Sequence, residues 1–180
     1  MTKKITKCLC MFFVFAIILT GCSTSKKNNE QIKSEASLQS TKPFTTQAKF
    51  EYGGLSANLN ISKEQEQKYD ILFTSPESLS GMAFSVDGDK IQISYRDINM
   101  KMTTDEFFDS SVIKMIVSSL NKVTSQNGVD ISIDSDKIIV GGSLDNGNFE
   151  LILNKENMDM LSLCVPSADF KLKFENFNFI

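Results

Sequence analysis

Cys22 stands behind Leu19-Thr20-Gly21 and is the first residue to consider for chemistry, since a thiolate is the strongest common side-chain nucleophile. The other cysteines offer less. Cys8 and Cys10 fall within an apolar N-terminal stretch, and Cys164, flanked by Leu163 and Val165, reads as a buried strand thiol. With Cys22 modified and the first two removed, Cys164 has no intramolecular disulfide partner. The chain contains no histidine and no tryptophan. Ser-His-Asp and Cys-His pairs and the commonest zinc and copper ligand are therefore excluded. An enzyme would have to work with carboxylates, lysine or tyrosine, and no nucleophile–base arrangement can be drawn, so none is expected. Asp130, Asp134 and Asp136, with Asp145 later, lack the spacing of a calcium loop and read as solvated strand faces and turn caps. Asp87-Gly88-Asp89 is a hairpin turn before it is an acid pair. No phosphate loop, dinucleotide fingerprint or metal set occurs, so no cofactor is expected.

What precedes Cys22 defines its setting. Lys3, Lys4 and Lys7 form a positive start with no acid, and Cys8 to Leu19 is apolar for 12 residues, short for a membrane span. This is the layout of a secretion signal, and its end resembles the lipobox of bacterial lipoproteins. The resemblance implies cleavage between Gly21 and Cys22, with a diacylglycerol on the Cys22 thiol. An ordinary signal with an incidental cysteine, or a signal anchor, is the alternative. The expected location is the extracytoplasmic face of the cell membrane, with the membrane itself as partner through the lipid on Cys22.

Loss of residues 1–21 leaves 159 of the 180 residues, enough for one domain. It also leaves 16 basic against 22 acidic residues, about −6. An acidic chain whose one arginine is Arg96 is a poor nucleic-acid binder, so no nucleic-acid partner is expected. It has no basic patch for lipid headgroups either, so attachment rests on acyl chains. Residues 22–46, rich in Ser, Thr, Asn and Lys, read as a lipidated cysteine and a flexible polar tether.

From Gln47 to Ile180 apolar residues alternate with polar ones. Examples are Leu55, Ala57, Leu59 and Ile61; Met82, Phe84 and Val86; and Phe149, Leu151 and Leu153. Turn signals such as Gly53-Gly54, Ser75-Pro76 and Asp87-Gly88 separate the runs. About eleven strands result, with short links that predict antiparallel neighbours. One interruption is helical. Thr103 to Glu106 has capping-box spacing before a short helix at Phe107 and Phe108. A second helix, from about Ser111 to Ser125, carries Val112, Ile113, Ile116, Val117, Leu120 and Val123 on one face and stops at Asn127-Gly128. The phase change from Phe174 to Phe177 and Phe179 predicts a bulge or bend. The fold class expected is mainly β: one curled antiparallel half-barrel wrapped over a central helical pair.

Several segments carry a family resemblance. They are Lys42-Pro43-Phe44-Thr45, Ser75-Pro76-Glu77-Ser78-Leu79-Ser80-Gly81-Met82-Ala83-Phe84, Ile93-Ser94-Tyr95 and Phe170-Lys171-Leu172-Lys173-Phe174-Glu175-Asn176-Phe177. With the lipobox and tether, the stretch from about Thr41 to Ile180 resembles the LolA/LolB-like superfamily of lipoprotein carriers and receptors, and in particular small lipoproteins of clostridia-like Gram-positive bacteria. The resemblance implies an apolar concavity able to hold acyl chains. Its candidate lining is Leu59, Ile71, Phe73, Phe84, Ile93, Met100, Met102, Ile116, Leu120, Phe149 and Leu151. These residues equally make an ordinary core. Leu79 is the nearest match to the apolar loop residue of the receptor lipoprotein, and otherwise plugs one end of the half-barrel. Arg96 has no place in the carriers' gating pattern.

Two functions follow as expectations. One is a non-enzymatic, membrane-anchored envelope lipoprotein that binds a lipid, or the acyl chain of a lipoprotein, in the concave face. It requires a cavity of about 300 Å³ or more. The other is a protein-interaction module that positions or activates a cell-wall or envelope enzyme. It requires a filled core with an exposed apolar patch or open strand edge.

Overall fold

The computed structural model describes residues 29–106 and 111–180. The signal, Cys22 and the short helix expected at Phe107 and Phe108 lie outside the described residues. The period-two segments form eleven strands: β1 (Phe44–Tyr52), β2 (Leu55–Gln65), β3 (Lys68–Ser75), β4 (Ala83–Asp87), β5 (Lys90–Tyr95), β6 (Ile98–Thr103), β7 (Val129–Asp134), β8 (Lys137–Leu144), β9 (Gly147–Asn154), β10 (Met160–Val165) and β11 (Phe170–Phe179). In β1, Phe44, Thr46, Ala48 and Phe50 are buried while Thr45, Gln47, Lys49 and Glu51 face solvent. The β1–β2 hairpin closes on Gly53-Gly54, whose φ angles of 53° and 82° suit a two-residue turn with both centres left-handed.

All strands belong to one antiparallel sheet in the order β6-β5-β4-β3-β2-β1-β11-β10-β9-β8-β7. The chain makes two meanders, β1–β6 and β7–β11, joined where the first strand pairs with the last. Its two edges, β6 and β7, are consecutive in sequence and unpaired with each other. Helix α2 (Val112–Ser125) must therefore carry the chain from one edge to the other across the concave face. Its 14 residues span about 21 Å at the helical rise. The Ser111 hydroxyl caps its start by accepting from the Lys114 N–H at 3.1 Å, and Gln126 ends it in the left-handed region. Ile113, Ile116, Val117, Leu120 and Val123 of its predicted face are buried; Val112 packs half-buried against them.

A second described helix, α1 (Asn29–Thr41), lies beside α2 and occupies part of the predicted tether. Ile32 and Ala36, one helical turn apart, are buried at 3% and 2% exposure, with Ser37 and Ser40 on the same side. Ordered structure is thus described upstream of Gln47, where the domain was expected to begin. The physical reason is that a polar helix with two inward apolar contacts can dock when its end is also satisfied. That satisfaction comes from Lys63, an inward residue of β2 exposed at 1%. Its ammonium donates to the Ser40 carbonyl of the last turn of α1 at 2.7 Å and to the Thr124 hydroxyl of α2 at 3.1 Å. A cation on terminal carbonyls also complements the helix dipole. Tyr69 lies beside this knot, its hydroxyl donating to Asn121 Oδ1 at 2.8 Å.

The bulge predicted near Phe177 is present. Register between β1 and β11 shifts between Thr45 and Gln47, and Asn176 sits at φ 50°. Phe177 thereby stays on the inner side, with ring centroids 5.0 Å from Phe44 and 5.0 Å from Phe179. The Thr46 hydroxyl donates to the Glu175 carbonyl at 2.9 Å, stitching the bulge.

Candidate functional site

The concave face is where the resemblance places a ligand. Leu59 of β2, Phe73 of β3, Phe84 of β4 and Phe149 of β9 point into it, and Ile116 and Leu120 of α2 descend onto them. All six are buried within one apolar cluster, as are Ile71 and Leu151. Phe73 meets Phe50 edge-on at 5.7 Å and Phe84 at 5.9 Å. Phe149 lies over its cross-strand neighbour Gly142, where a Cβ would stand 2.6 Å from the ring. Ile93, Met102 and Leu79 are half-buried against this cluster. Leu79 sits in a loop pinned by its N–H to the Pro76 carbonyl at 2.9 Å and by Tyr95 Oη to the Ser78 carbonyl at 2.7 Å. Met100 stands apart at 49% exposure. Two clefts described beside α2 measure about 190 and 110 Å³.

Among the described residues, no three His, Cys, Asp or Glu side chains converge as a metal site. Asp130, Asp134 and Asp136 are exposed. Glu106 reaches back to the Thr103 N–H at 2.8 Å and its hydroxyl at 3.1 Å, the return arm of the expected capping box. These donors hold its carboxyl below the usual range. Cys164 is half-buried rather than buried, because it points outward beside Glu150 and Lys171. Burial first, and the Glu150 carboxylate second, push its thiol up, which makes it a poor nucleophile at neutral pH.

Solved structures share this arrangement. An uncharacterized conserved protein of Thermus thermophilus is 11% identical, matching 85% of this chain to 88% of its own at a TM-score of 0.52. A DUF1329 family protein of Desulfovibrio piger is 9% identical over 82% and 91%, at 0.50. A LolA superfamily protein of Nitrosomonas europaea is 7% identical over 84% and 93%, at 0.47. At these identities the likeness is one of fold alone. No family model and no curated protein matches the chain. Among the described residues no helix is long and apolar enough to cross a membrane.

The two edges of the sheet differ. On β7 the inward row Val129, Ile131 and Ile133 packs against the core, while Asp130, Ser132 and Asp134 face water. On β6 the inward row is Ile98, Met100 and Met102, opposite Tyr95, Ile93 and Ile91. Ile98 and Met100 are 59% and 49% exposed. Only Met102 packs on the core. Periodicity alone could not show this, since both strands alternate alike. The signal lies in their position on either side of the helix.

Proposed function

We propose that this chain is a non-enzymatic envelope lipoprotein, held at the extracytoplasmic face of the membrane by a diacylglycerol on Cys22, whose folded domain is a protein-interaction module. The observation that carries the reading is β6, an edge strand whose apolar row no described element covers. An extended segment of an envelope protein with apolar side chains at alternate positions can pair with its free backbone edge and cover Ile98 and Met100. The packed concave face supports the same choice over an acyl-chain carrier, because the clefts beside α2 fall short of the roughly 300 Å³ such a ligand needs. The signal-like N-terminus and lipobox support the anchor.

Photo-crosslinking in intact cells tests this reading. A crosslinker at Met100 is expected to trap a discrete protein adduct that a crosslinker at Ser132 of β7 does not, and Ile98→Lys should abolish it. Equal adducts from both edges, or none, would remove the case for β6. Native mass spectrometry of the domain secreted without its lipid should give a bare mass. A co-purifying mass that extracts into organic solvent would restore the carrier reading.

A further inference from the structure

The outer face of the sheet, away from the helices, carries a second feature. Side chains in register across the strands form continuous rows. One row runs Asn178, Thr45, Ser62, Asp70, Ser85, Gln92 from β11 to β5. The adjacent row runs Gln47, Asn60, Leu72, Ala83, Ser94 from β1 to β5. Together they line an open trough of about 690 Å³. The middle of the trough is concave: Ser62, Asp70, Ala83, Ser85 and Ser94 are half-buried although no described element covers them. The bulge at Asn176 bends β11 at its end, and the Asn176 side-chain amide donates to Gln47 Oε1 at 2.7 Å there.

The chemistry of the two rows is unusual for a charged, acidic chain. Between β1 and β5 they hold one ionisable side chain, Asp70, amid amides and hydroxyls. The next outward row carries three charges, Lys68, Asp87 and Lys90, on β3 to β5, between Gln65 and Thr103. Amides and hydroxyls both donate and accept, so they match a ligand that does the same along its length. Leu72, 40% exposed, and Ala83 supply an apolar strip between them. The backbone groups of these strands are engaged in the sheet, so an extended peptide would find no ladder to join across them.

We infer that this trough binds a neutral glycan chain lying across the strands. Its hydroxyl and acetamido groups would meet Gln47, Asn60, Gln92 and Asn178, and its C–H faces or acetyl methyls would meet Leu72 and Ala83. Six strands give a path of about 24 Å at the interstrand spacing, room for an extended oligosaccharide. The near-absence of charge disfavours polyanions and phospholipid headgroups.

Isothermal titration of the full chain, kept in a detergent without a sugar headgroup, tests the assignment. Chitohexaose and maltohexaose are the neutral probes, and polygalacturonate is the charged one. Saturable binding of a neutral probe is expected, weakened at least ten-fold in Asn60→Ala/Gln92→Ala. Glu51→Ala, at the far end of β1, should bind as the parent does. Both altered side chains are exposed, so an unchanged melting curve will show that the double variant folds. No heat from either neutral probe at millimolar concentration would overturn the inference. So would equal affinity in the double variant, or tighter binding of polygalacturonate.

Discussion

Lys63 follows Ala57, Leu59 and Ile61 on the inward parity of β2, and that parity was the signal in the sequence that it is buried. What the strand pattern could not show is its partners, Ser40 and Thr124, which come from two helices. Lys63→Ala leaves the Ser40 carbonyl, at a buried helix end, with only the longer bond from the Thr124 hydroxyl at 3.2 Å, and should cost about 1–3 kcal/mol in urea unfolding. Titration separates the roles further. Burial lowers Lys63 from its ordinary 10.5, with Glu66 opposing. The unfolded chain then holds more protons in the interval between the two values, so this residue makes stability rise with pH up to about 10.5. Burial raises the Tyr69 phenol above its ordinary 10.0. Here the unfolded form ionises first, so stability falls as pH climbs past about 10. The two contributions therefore have opposite signs, and each variant isolates one of them. Relative to the parent, Lys63→Met should lose the part of the rise that ends at about pH 10.5, and Tyr69→Phe should lose part of the fall above about pH 10. Superimposable profiles of urea midpoint against pH for all three would refute both assignments.

At the scale of elements, strands were legible and α1 was not. Each strand needs only alternation and a turn residue, and both are local: Gly53-Gly54 and Asp87-Gly88 mark their hairpins without help from the rest of the chain. Helix α1 has Ser, Asn, Lys and Gln on most positions, and two buried apolar residues do not outweigh that composition. The i, i+4 pair Ile32 and Ala36 was the available hint, but its meaning depends on a surface made by α2 and β7. The docked helix and a free tether make opposite predictions. Ile32→Ala should cost about 2–4 kcal/mol if the helix is docked, because it removes buried methyls from a packed site. Leu38, 63% exposed on the same helix, should tolerate alanine within about 0.5 kcal/mol. Equal and negligible effects at both positions would mean that this segment adds nothing to the fold. The candidate lining residues show the same limit. Leu59, Phe73, Phe84, Ile116, Leu120 and Phe149 were readable as inward-facing, but not as touching one another. Only the descent of α2 decides that they fill the concavity instead of lining it.

The whole molecule depends on one pairing that no local pattern encodes. Short links order β1 to β6 and β7 to β11 as two meanders, but nothing in them says that Phe50 will sit opposite Leu172. That contact joins strands near the two ends of the chain, so its loop-closure entropy must be met before the sheet is complete. Removing it should be felt everywhere. A chain ending at Asp169 lacks β11, so each meander keeps a raw edge, and Phe44, Ala48 and Phe50 lose the side chains of Leu172, Phe174 and Phe177. Two open half-sheets sharing one helix pair have too little covered surface to fold alone. The truncated chain should show no cooperative urea transition, and a synthetic peptide of Phe170–Ile180 should restore one by strand addition at β1. If the truncated chain unfolds cooperatively without the peptide, the meanders are independent units and the β1–β11 seam is a dispensable contact. If the peptide restores the transition, the seam makes a single cooperative body. A partner docked on β6 would then stabilise the distant β7 edge as well, by favouring the folded state as a whole.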